Sequence, residues 1–354
     1  MMSGHRRIKG TLRVLVVDDS AVVREMMSQL LARDHRISVL ATSDPVFALE
    51  KMAIERPDVI ITDLEMPRMD GITFVRRIMR TDPIPIIICS GNAEAGAGRA
   101  LNALMEGAIE IIAKPKVGVR EFLQDSAEKL IKLVWGAAAS RLRCSTAQTP
   151  VRRPTRLAGL PGCRPQSDPN LVAVGASTGG TDAIRQILQA MPLDCPGLVI
   201  VQHMPPAFTR AFALHLDRDC AIAVKEAEDG DRITAGCALI APGSRHLALT
   251  SQGSHYVARL DDGAPVNHHR PSVDVLFNSV AETAGSQALG ILLTGMGKDG
   301  AQGLLEMKRA GSRTIAQDEE TCVVFGMPAE AIALGAAHEI LPLGQISRSI
   351  LNGR

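Results

Sequence analysis

The sequence predicts an α/β protein of two domains, each built on a largely parallel sheet. Short runs of Val, Ile and Leu alternate with amphipathic helical patterns in both halves of the chain. This alternation is typical of parallel strands that are covered by helices on both faces. The chain has 354 residues, which is more than one hydrophobic core usually supports. Two domains are therefore expected.

The composition argues against several functional classes. The formal net charge is +1 and aromatic residues make up 3% of the chain, which does not favour nucleic-acid binding. The seven cysteines are scattered without metal-binding spacing, as is typical of reduced thiols in a cytosolic protein. No apolar run is long enough for a signal sequence or a membrane span. We expect a cytoplasmic protein that neither inserts into a membrane nor binds nucleic acid.

The first domain is predicted over residues 12–135 as a doubly wound sheet of five parallel strands. Helical patterns separate the strands, and Asp44-Pro45 is typical of an N-cap followed by proline at the first helical position. The predicted strands are 13–17, 39–41, 59–62, 84–90 and 109–113.

A change in composition separates the two domains. Residues 136–170 are rich in Arg and Pro and have no apolar period, which predicts a linker. The second domain is expected over residues 171–354. Its clearest strands are 171–174, 198–202 and 289–294, and the short strands of residues 222–260 indicate a β-rich insertion.

Polar side chains follow four predicted strands of the first domain. Asp18 and Asp19 end the first strand and Asp63 ends the third. The carboxyl ends of parallel strands meet at one crevice, where three carboxylates would repel one another without a hard cation such as Mg²⁺. Ser90 and Lys114 reach the same edge. Singly, these residues could be a helix cap, a turn residue or a surface charge; together they predict a phosphate-handling metal site.

Four motifs at these positions, VLVVDDS, IITDLEMPRMDG, IICSG and AKP, resemble the receiver domain of response regulators, which has a flavodoxin-like fold. The resemblance implies that Asp63 accepts a phosphoryl group from a histidine kinase, and that Ser90 and Lys114 contact this group. It also implies a Mg²⁺ site formed by Asp18, Asp19, Asp63 and the backbone carbonyl of Glu65. Many receivers have Phe or Tyr three residues before the lysine, where this chain has Ile111. An aromatic relay of the signal is therefore not expected here.

Ser177 lies in a glycine-rich turn between a predicted strand and a predicted helix, in the stretch LVAVGASTGGTDAI. The spacing Gly175-x-Ser177-x-Gly179 matches the elbow that presents a nucleophilic serine. Turns of this composition also bind phosphate groups, and serine is a favoured helix N-cap. These residues alone leave all three roles open, and a cap could accompany either of the others.

His203 and Asp299 follow two other predicted strands, which favours the nucleophile role for Ser177. Serine, histidine and aspartate at neighbouring strand ends can form a nucleophile, its base and the acid that orients the base. Their order along the chain differs from the Ser, Asp, His order of the common hydrolases with this elbow. Asp299 could also cap the following helix, and Asp274 is a rival acid.

Three adjacent positions, together with His246, keep alternative interpretations. His268, His269 and Arg270 could line a substrate groove or form a solvated loop. His246 is interpreted as a structural or rim-lining residue.

Seven motifs of the second domain resemble the catalytic domain of the chemotaxis protein-glutamate methylesterase (CheB) family. They are AVGASTGGTDAI, VIVQHMPPAFT, VKEAEDGDRI, IAPGSRHLAL, HRPSVDVLF, ILLTGMGKDGA and CVVFGMPAEAI. The resemblance implies that Ser177 is the nucleophile, His203 the base and Asp299 its orienting acid. It implies that Thr178 and the backbone of Met296 support the oxyanion, and that the esterase reaction uses no cofactor.

The same resemblance implies a reaction and a partner. The reaction is hydrolysis of glutamyl methyl esters, and deamidation of specific glutamines, on the methylated cytoplasmic region of a chemoreceptor. We expect the unphosphorylated receiver to cover the Ser177 cleft. A rival hypothesis is a phosphorylation-regulated module that binds a nucleotide or phosphate through residues 175–180 without catalysis. A DNA-binding response regulator lacks a basic recognition helix after the receiver.

Overall fold

The computed structural model describes residues 10–91, 94–114, 120–140 and 171–352. The chain divides into two compact units, residues 1–146 and 147–354. Residues 136–139 of the expected linker belong to the last helix of the first unit. The remainder of that linker, from residue 141 to residue 170, lies outside the described residues. None of the described helices combines the length and the hydropathy that crossing a bilayer requires.

The first unit has the predicted sheet of five parallel strands, in the order β2-β1-β3-β4-β5. The strands are β1 (Leu12–Val17), β2 (Ile37–Thr42), β3 (Val59–Thr62), β4 (Ile86–Ser90) and β5 (Glu110–Ala113). The helices are α1 (Ala21–Leu31), α2 (Pro45–Ile54), α3 (Gly71–Thr81), α4 (Glu94–Met105) and α5 (Arg120–Ala139). This part of the predicted fold class is confirmed.

Local sequence signals explain where these elements begin and what they bury. The Asp44 carboxylate accepts hydrogen bonds from the backbone N–H groups of Val46 and Phe47, with Pro45 at the start of α2, as predicted. α3 buries a stripe of apolar residues at helical spacing, including Phe74 and Ile78. β1, β3 and β4 are almost entirely buried, and their Val and Ile side chains provide the core.

The second unit contains a sheet of seven parallel strands, in the order β14-β13-β12-β6-β7-β9-β8. The strands of the whole second unit are β6 (Leu171–Ala176), β7 (Gly197–Gln202), β8 (Ala223–Glu226), β9 (Cys237–Ile240), β10 (His246–Gln252), β11 (His255–Asp261), β12 (Ala288–Leu292), β13 (Arg313–Gln317) and β14 (Glu339–Leu341). Its helices are α6 (Gly180–Gln189), α7 (Pro206–Asp219), α8 (Val273–Thr283), α9 (Ala301–Arg309), α10 (Met327–Ala333) and α11 (Leu343–Asn352), with a 3₁₀ turn at Gly285–Gln287.

The observed sheet corrects one detail of the predicted fold. Residues 222–260 are not a separate insertion, because β8 and β9 pair in parallel with the main sheet. Only β10 and β11 form an independent antiparallel hairpin. This hairpin packs against α8, where the backbone N–H of Leu249 donates to the Ser279 hydroxyl over 2.8 Å.

The core of the second unit lies between the sheet, the hairpin and helices α8 and α9. Phe277 and Leu304 are fully buried and face this core together with Leu247 and Leu292. Each such side chain contributes about 1.5–3 kcal/mol through burial. The core therefore fixes α8 and α9 against the end of β12, where the functional site lies.

Neither Ser177 nor Asp299 is a helix N-cap, so those interpretations are wrong. The residue before α6 is Gly179, with φ 77°, and the residue before α9 is Gly300, with φ 85°. Both glycines adopt the left-handed conformation that other residues rarely tolerate. Neither N-cap glycine provides a side-chain cap hydrogen bond. The side chains of Ser177 and Asp299 are thereby left for other roles.

Two mid-helix glycines provide a test of this packing. An added Cβ at Gly303 of α9 would lie 2.7 Å from the Phe277 Cβ, whereas one at Gly98 of α4 meets no atom within 4 Å. We expect Gly303→Ala to destabilise the second unit by about 1–3 kcal/mol, because overpacking outweighs helix propensity. Gly98→Ala should stabilise the first unit by up to about 1 kcal/mol.

Hydrogen exchange read by mass spectrometry measures opening of the two units separately. Exchange should become faster in α9 of the Gly303→Ala variant and slower in α4 of the Gly98→Ala variant. Slower exchange in both variants would contradict the close approach of α8 and α9.

Candidate functional site

The three residues predicted to act together lie after adjacent strands of the second sheet. β6 pairs with β7 on one side and with β12 on the other. Ser177 follows β6, His203 follows β7 and Asp299 lies in the turn after β12. The chain leaves β6 first toward β7 and later returns to its other side at β12. Such a reversal of strand order creates a crevice at the carboxyl ends of the strands.

The turn that carries Ser177 is held by backbone hydrogen bonds. The Ser177 N–H donates to the Thr294 carbonyl over 3.0 Å, and the Ser177 carbonyl accepts from the Gly180 N–H over 2.7 Å. An added Cβ at Gly295 would lie 2.8 Å from the Ser177 Cβ and 2.3 Å from the Met327 Sδ. Glycine at position 295 therefore lets the turn after β12 approach the serine.

His203 is fixed by both its backbone and its ring. Its N–H donates to the Ala176 carbonyl over 3.0 Å, which places it next to Ser177. Its Nε2 lies 2.9 Å from the Asp299 Oδ2. Its Nδ1 is buried and has no hydrogen-bond partner within the described residues. Because the carboxylate accepts a hydrogen bond, Nε2 carries the hydrogen in the neutral ring and Nδ1 keeps its lone pair.

A buried glutamine ties the serine turn to the histidine. The Gln202 Nε2 donates to the Ser177 carbonyl over 2.9 Å and to the His203 carbonyl over 3.0 Å. The glutamine thereby fixes the spacing between the two backbones.

Asp299 is 1% exposed and accepts hydrogen bonds from several directions. Its Oδ2 accepts from His203 and from the Val273 N–H, and its Oδ1 accepts from the Ser272 hydroxyl and the Asn267 amide. Burial alone would raise the pKa of this carboxyl group. The hydrogen bonds from His203, Asn267 and Ser272 outweigh burial and hold its pKa well below the usual range.

Asp274, the rival acid, is directed toward α9. Its Oδ1 accepts from the Gly303 N–H over 2.6 Å and its Oδ2 accepts from the Asn267 amide over 2.7 Å. Burial raises the pKa of Asp274. Of the two aspartates, Asp299 is the one that bonds to the histidine ring.

The turn before α8 brings further residues to the site. The His269 ring stacks on the His203 ring, with centroids 3.7 Å apart and planes within 5°. His268 is exposed. Arg270 donates to the carbonyls of Asp262 and Gly263. Of His268, His269 and Arg270, His269 is the one whose ring stacks on His203, the candidate base.

His246 and Asn267 hold the groups around the candidate site by hydrogen bonds. His246 is buried, and its Nδ1 accepts from the Ser272 N–H over 3.1 Å while its Nε2 lies 3.0 Å from the Ala264 carbonyl, consistent with a structural role. Sequence reasoning missed Asn267, which bonds to both aspartates. The available signal was weak: asparagine tolerates left-handed backbone, and Asn267 has φ 52°.

The predicted oxyanion positions are Thr178, next to Ser177 in the chain, and Met296 in the turn after β12. The Thr178 carbonyl accepts from the Thr294 hydroxyl over 3.0 Å, so the residue after the serine is held to the end of β12. Met296 follows Gly295, whose N–H donates to the Val324 carbonyl over 3.1 Å. Hydrogen bonds thus fix the backbone around both positions.

The acidic residues of the first unit meet as predicted. One ligand atom from each of Asp18, Asp19 and Asp63 lies within 4.8 Å of the others. The Lys114 Nζ lies 2.8 Å from an oxygen of Asp18 and 2.9 Å from an oxygen of Asp63. Ser90 ends β4, and its carbonyl accepts from the Lys114 N–H over 2.8 Å.

The charges of this pocket favour binding of a cation. Burial raises the pKa of Asp18, and the nearby Asp63 charge adds to the increase. Burial would lower the pKa of Lys114, but bonds to Asp18 and Asp63 raise it. One ammonium group faces three carboxylates, so negative charge is left uncompensated. The donor set therefore fits a hard divalent ion.

Two residues complete the description of this pocket. The Glu65 carboxylate is exposed and lies 3.7 Å from the Arg99 guanidinium. Ile111 is buried on β5, in place of the aromatic residue of many receivers.

Comparison with known proteins supports the same division of the chain. The family model described as the response regulator receiver domain matches residues 14–124, and that described as CheB methylesterase matches residues 172–350. A protein-glutamate methylesterase/protein-glutamine glutaminase of Anaeromyxobacter dehalogenans is 52% identical over 96% of this chain and 98% of its own. One from Xanthomonas campestris is 51% identical over 95% of this chain and 99% of its own.

A solved structure resembles the second unit. The crystal structure of the Thermotoga maritima CheB methylesterase catalytic domain is 41% identical, has a TM-score of 0.50, and covers 51% of this chain and 96% of its own. The catalytic-domain match spans more than half of the chain, and the curated relatives match nearly all of it. The chain therefore belongs to the CheB family of protein-glutamate methylesterases that carry a response-regulator receiver domain.

Proposed function

We propose that this enzyme hydrolyses glutamyl methyl esters, and deamidates specific glutamines, on the cytoplasmic regions of chemoreceptors, under control of phosphorylation at Asp63. The observation that carries the proposal is the 2.9 Å contact between the His203 Nε2 and the Asp299 carboxylate, next to the Ser177 turn. Relatives that match nearly the whole chain are named for both activities. We assign the receiver to residues 12–135 and the catalytic domain to 171–354, with 136–170 between them, of which residues 136–139 continue helix α5.

The first half of the proposed reaction forms an acyl-enzyme. The Ser177 Oγ attacks the ester carbonyl carbon while the His203 Nδ1 takes the hydroxyl proton. Asp299 stabilises the resulting imidazolium through the Nε2–H bond. As the tetrahedral intermediate collapses, the bond to the methoxy oxygen breaks. That oxygen receives the proton from Nδ1 and leaves as methanol.

The second half releases the product. A water molecule gives a proton to Nδ1 and attacks the acyl carbon, and the bond to the Ser177 Oγ breaks as Oγ recovers the proton. The product is a glutamate carboxylate. A glutamine side chain follows the same course with ammonia as the leaving group. The backbone N–H groups of Thr178 and Met296 are assigned to stabilise the oxyanion, a contribution of several kcal/mol in other enzymes.

The proposed steps of the esterase reaction use side chains and backbone groups of this chain alone. The buried His203–Asp299 pair is important because a dry environment strengthens the electrostatic stabilisation of the imidazolium.

Control is assigned to the first unit. A histidine kinase is the proposed phosphodonor, and Asp63 accepts the phosphoryl group, which Ser90 and Lys114 contact. Asp18, Asp19, Asp63 and the Glu65 backbone carbonyl would hold Mg²⁺, which neutralises phosphoryl charge during transfer when it is bound. Lys114 already pairs with Asp63, so phosphorylation must redistribute this ion pair. With Ile111 in β5, the signal must leave the pocket by a route other than rotation of an aromatic ring at that position.

Ser177→Ala should lower methanol release from methylated chemoreceptors by about 10⁴-fold or more, because the nucleophile is lost. The matched control is Ser254→Ala, at an exposed position in the turn between β10 and β11, which should retain wild-type activity. Retained activity in Ser177→Ala would refute the mechanism. Stabilisation of that variant by a nucleotide would favour the rival binding module.

A small-molecule phosphodonor should raise the esterase activity of the full chain about 5- to 100-fold, a typical range for coupling between two sites. The Asp63→Asn variant should not respond, because it has no acceptor carboxylate. A fragment of residues 165–354 should be more active than the unphosphorylated chain, because inhibition by the receiver is removed. No gain in the fragment, together with no effect of the phosphodonor on the full chain, would contradict this control.

Asp19→Asn should weaken Mg²⁺ binding by about 10-fold or more, equivalent to about 1.4 kcal/mol, because one of three clustered carboxylates is neutralised. Isothermal titration calorimetry of the full chain measures the affinity. Glu50→Gln removes an exposed carboxylate from α2 and should leave the affinity unchanged. Equal affinities in the two variants would place the cation elsewhere.

A further inference from the structure

We propose that Asn267 is a positioning residue for the reaction, whose side-chain amide holds the Asp299 carboxylate in place and separates it from the second buried carboxylate, Asp274. This inference rests on the proposed Ser177–His203–Asp299 mechanism. Asn267 does not touch the reacting atoms and acts through Asp299.

The amide of Asn267 lies between the two aspartates. Its Nδ2 donates to the Asp299 Oδ1 over 2.8 Å and to the Asp274 Oδ2 over 2.7 Å. An amide nitrogen has two hydrogens, so each carboxylate receives one. The opposite orientation would direct the amide oxygen at two carboxylates, which the charges forbid. One side chain therefore satisfies an oxygen of each aspartate.

The backbone of the turn presents this amide. The backbone groups of Val266 and His269 exchange two hydrogen bonds, of 2.9 and 3.0 Å, and close a tight turn around Asn267 and His268. Asn267 adopts left-handed backbone, with φ 52°, a conformation in which asparagine and aspartate are enriched among non-glycine residues. The same turn carries His269, whose ring stacks on His203. A single turn thus supports both the acid and the base.

The two carboxylates need this separation because both are buried, with Asp274 7% and Asp299 1% exposed. Two close carboxylates in a site of low polarity tend to share a proton. Burial raises the pKa of Asp274, while Asp299 stays ionised. His203, Ser272 and the Val273 N–H donate to Asp299 but not to Asp274, so Asp299 is the carboxylate that stays ionised. The Asn267 amide lies between the two carboxylates and keeps them from sharing a proton.

Other titratable groups surround the pair and enter any pH dependence. They are His203 after β7, His269 stacked on that ring, and His246 of β10, which reaches Asp299 through Ser272. Lys298, next to Asp299 in the chain, is exposed.

Asn267→Asp tests the role of the amide separately from the conformation of the turn. Aspartate has nearly the same shape and also tolerates left-handed backbone, but it replaces two N–H donors with a third carboxylate. The added negative charge favours the protonated His203 ring and sharing of a proton among the carboxylates. As the pH falls, the unprotonated base is therefore lost at a higher pH than in the wild type. We expect kcat to fall about 10- to 100-fold, KM to change little, and the acid limb of the kcat profile to move to higher pH.

The second variant exchanges the two side chains. In Asn267→Asp combined with Asp274→Asn the total charge is that of the wild type, but a carboxylate still replaces the amide next to Asp299. We expect the acid limb to stay displaced, because Asp299 still lacks its amide donor; a full return would show that only the total charge matters and would overturn the inference. Asn278→Asp, the same change at an exposed position of α8, is the matched control and should show wild-type kinetics.

The measurement is methanol release by the full chain across pH, with thermal unfolding to confirm that each variant is folded. If Asn267→Asp does not fold, Asn267→Gly keeps the left-handed backbone and removes the amide, and a loss of kcat at unchanged KM is then expected. Wild-type kinetics in the folded variant would overturn the inference. Lowered activity with an unmoved pH profile would also overturn it, by showing a merely structural role. Activity retained in Ser177→Ala, assayed in parallel, would instead refute the underlying mechanism.

Discussion

A single buried carboxylate organises the catalytic half of the molecule. Asp299 accepts hydrogen bonds from His203 after β7 and from Asn267 in the turn before α8. It also accepts from Ser272 and Val273 at the start of α8. The buried donors among them, such as the Ser272 hydroxyl and the Val273 N–H, would be unsatisfied without this acceptor, at a cost of about 1–3 kcal/mol each. The carboxylate therefore fixes a strand end, a turn and a helix start at once. Its role in folding and its proposed role in catalysis rest on the same bonds.

The two halves of the chain use one geometric rule with different electrostatic solutions. In both, polar side chains meet where parallel strands end. In the catalytic half, mostly uncharged donors surround Asp299 and need no further charge. In the receiver half, Lys114 bonds to Asp18 and Asp63, and excess negative charge remains. The first arrangement suits a permanent acid beside a base. The second suits a site that binds a cation and changes charge on phosphorylation.

Sequence patterns predicted the parts of the fold that depend on continuous apolar strands and strong capping signals. The five strands of the receiver and the start of α2 at Asp44 are examples. β13 was missed because Thr314 and Gln317 interrupt its apolar pattern, although both are buried and hydrogen bonded. The cap interpretation of Ser177 failed because Gly179 adopts left-handed backbone at the start of α6. Asn267 could not be found because its partners are brought together only by the folded turn.

The His203 ring nitrogen that faces Asp299 determines which nitrogen is left to act on Ser177, the proposed nucleophile. In the familiar triad the acid bonds to Nδ1 and the base is Nε2, at the far end of the ring. Here Nε2 faces the acid, so the proposed base is Nδ1, which is close to the main chain. The proposed nucleophile, Ser177, follows the adjoining strand β6, next to this backbone. The backbone bond from His203 to Ala176 and the Gln202 bridge to Ser177 enforce that proximity. The pairing of β6 with β7 therefore brings the proposed base and the proposed nucleophile together.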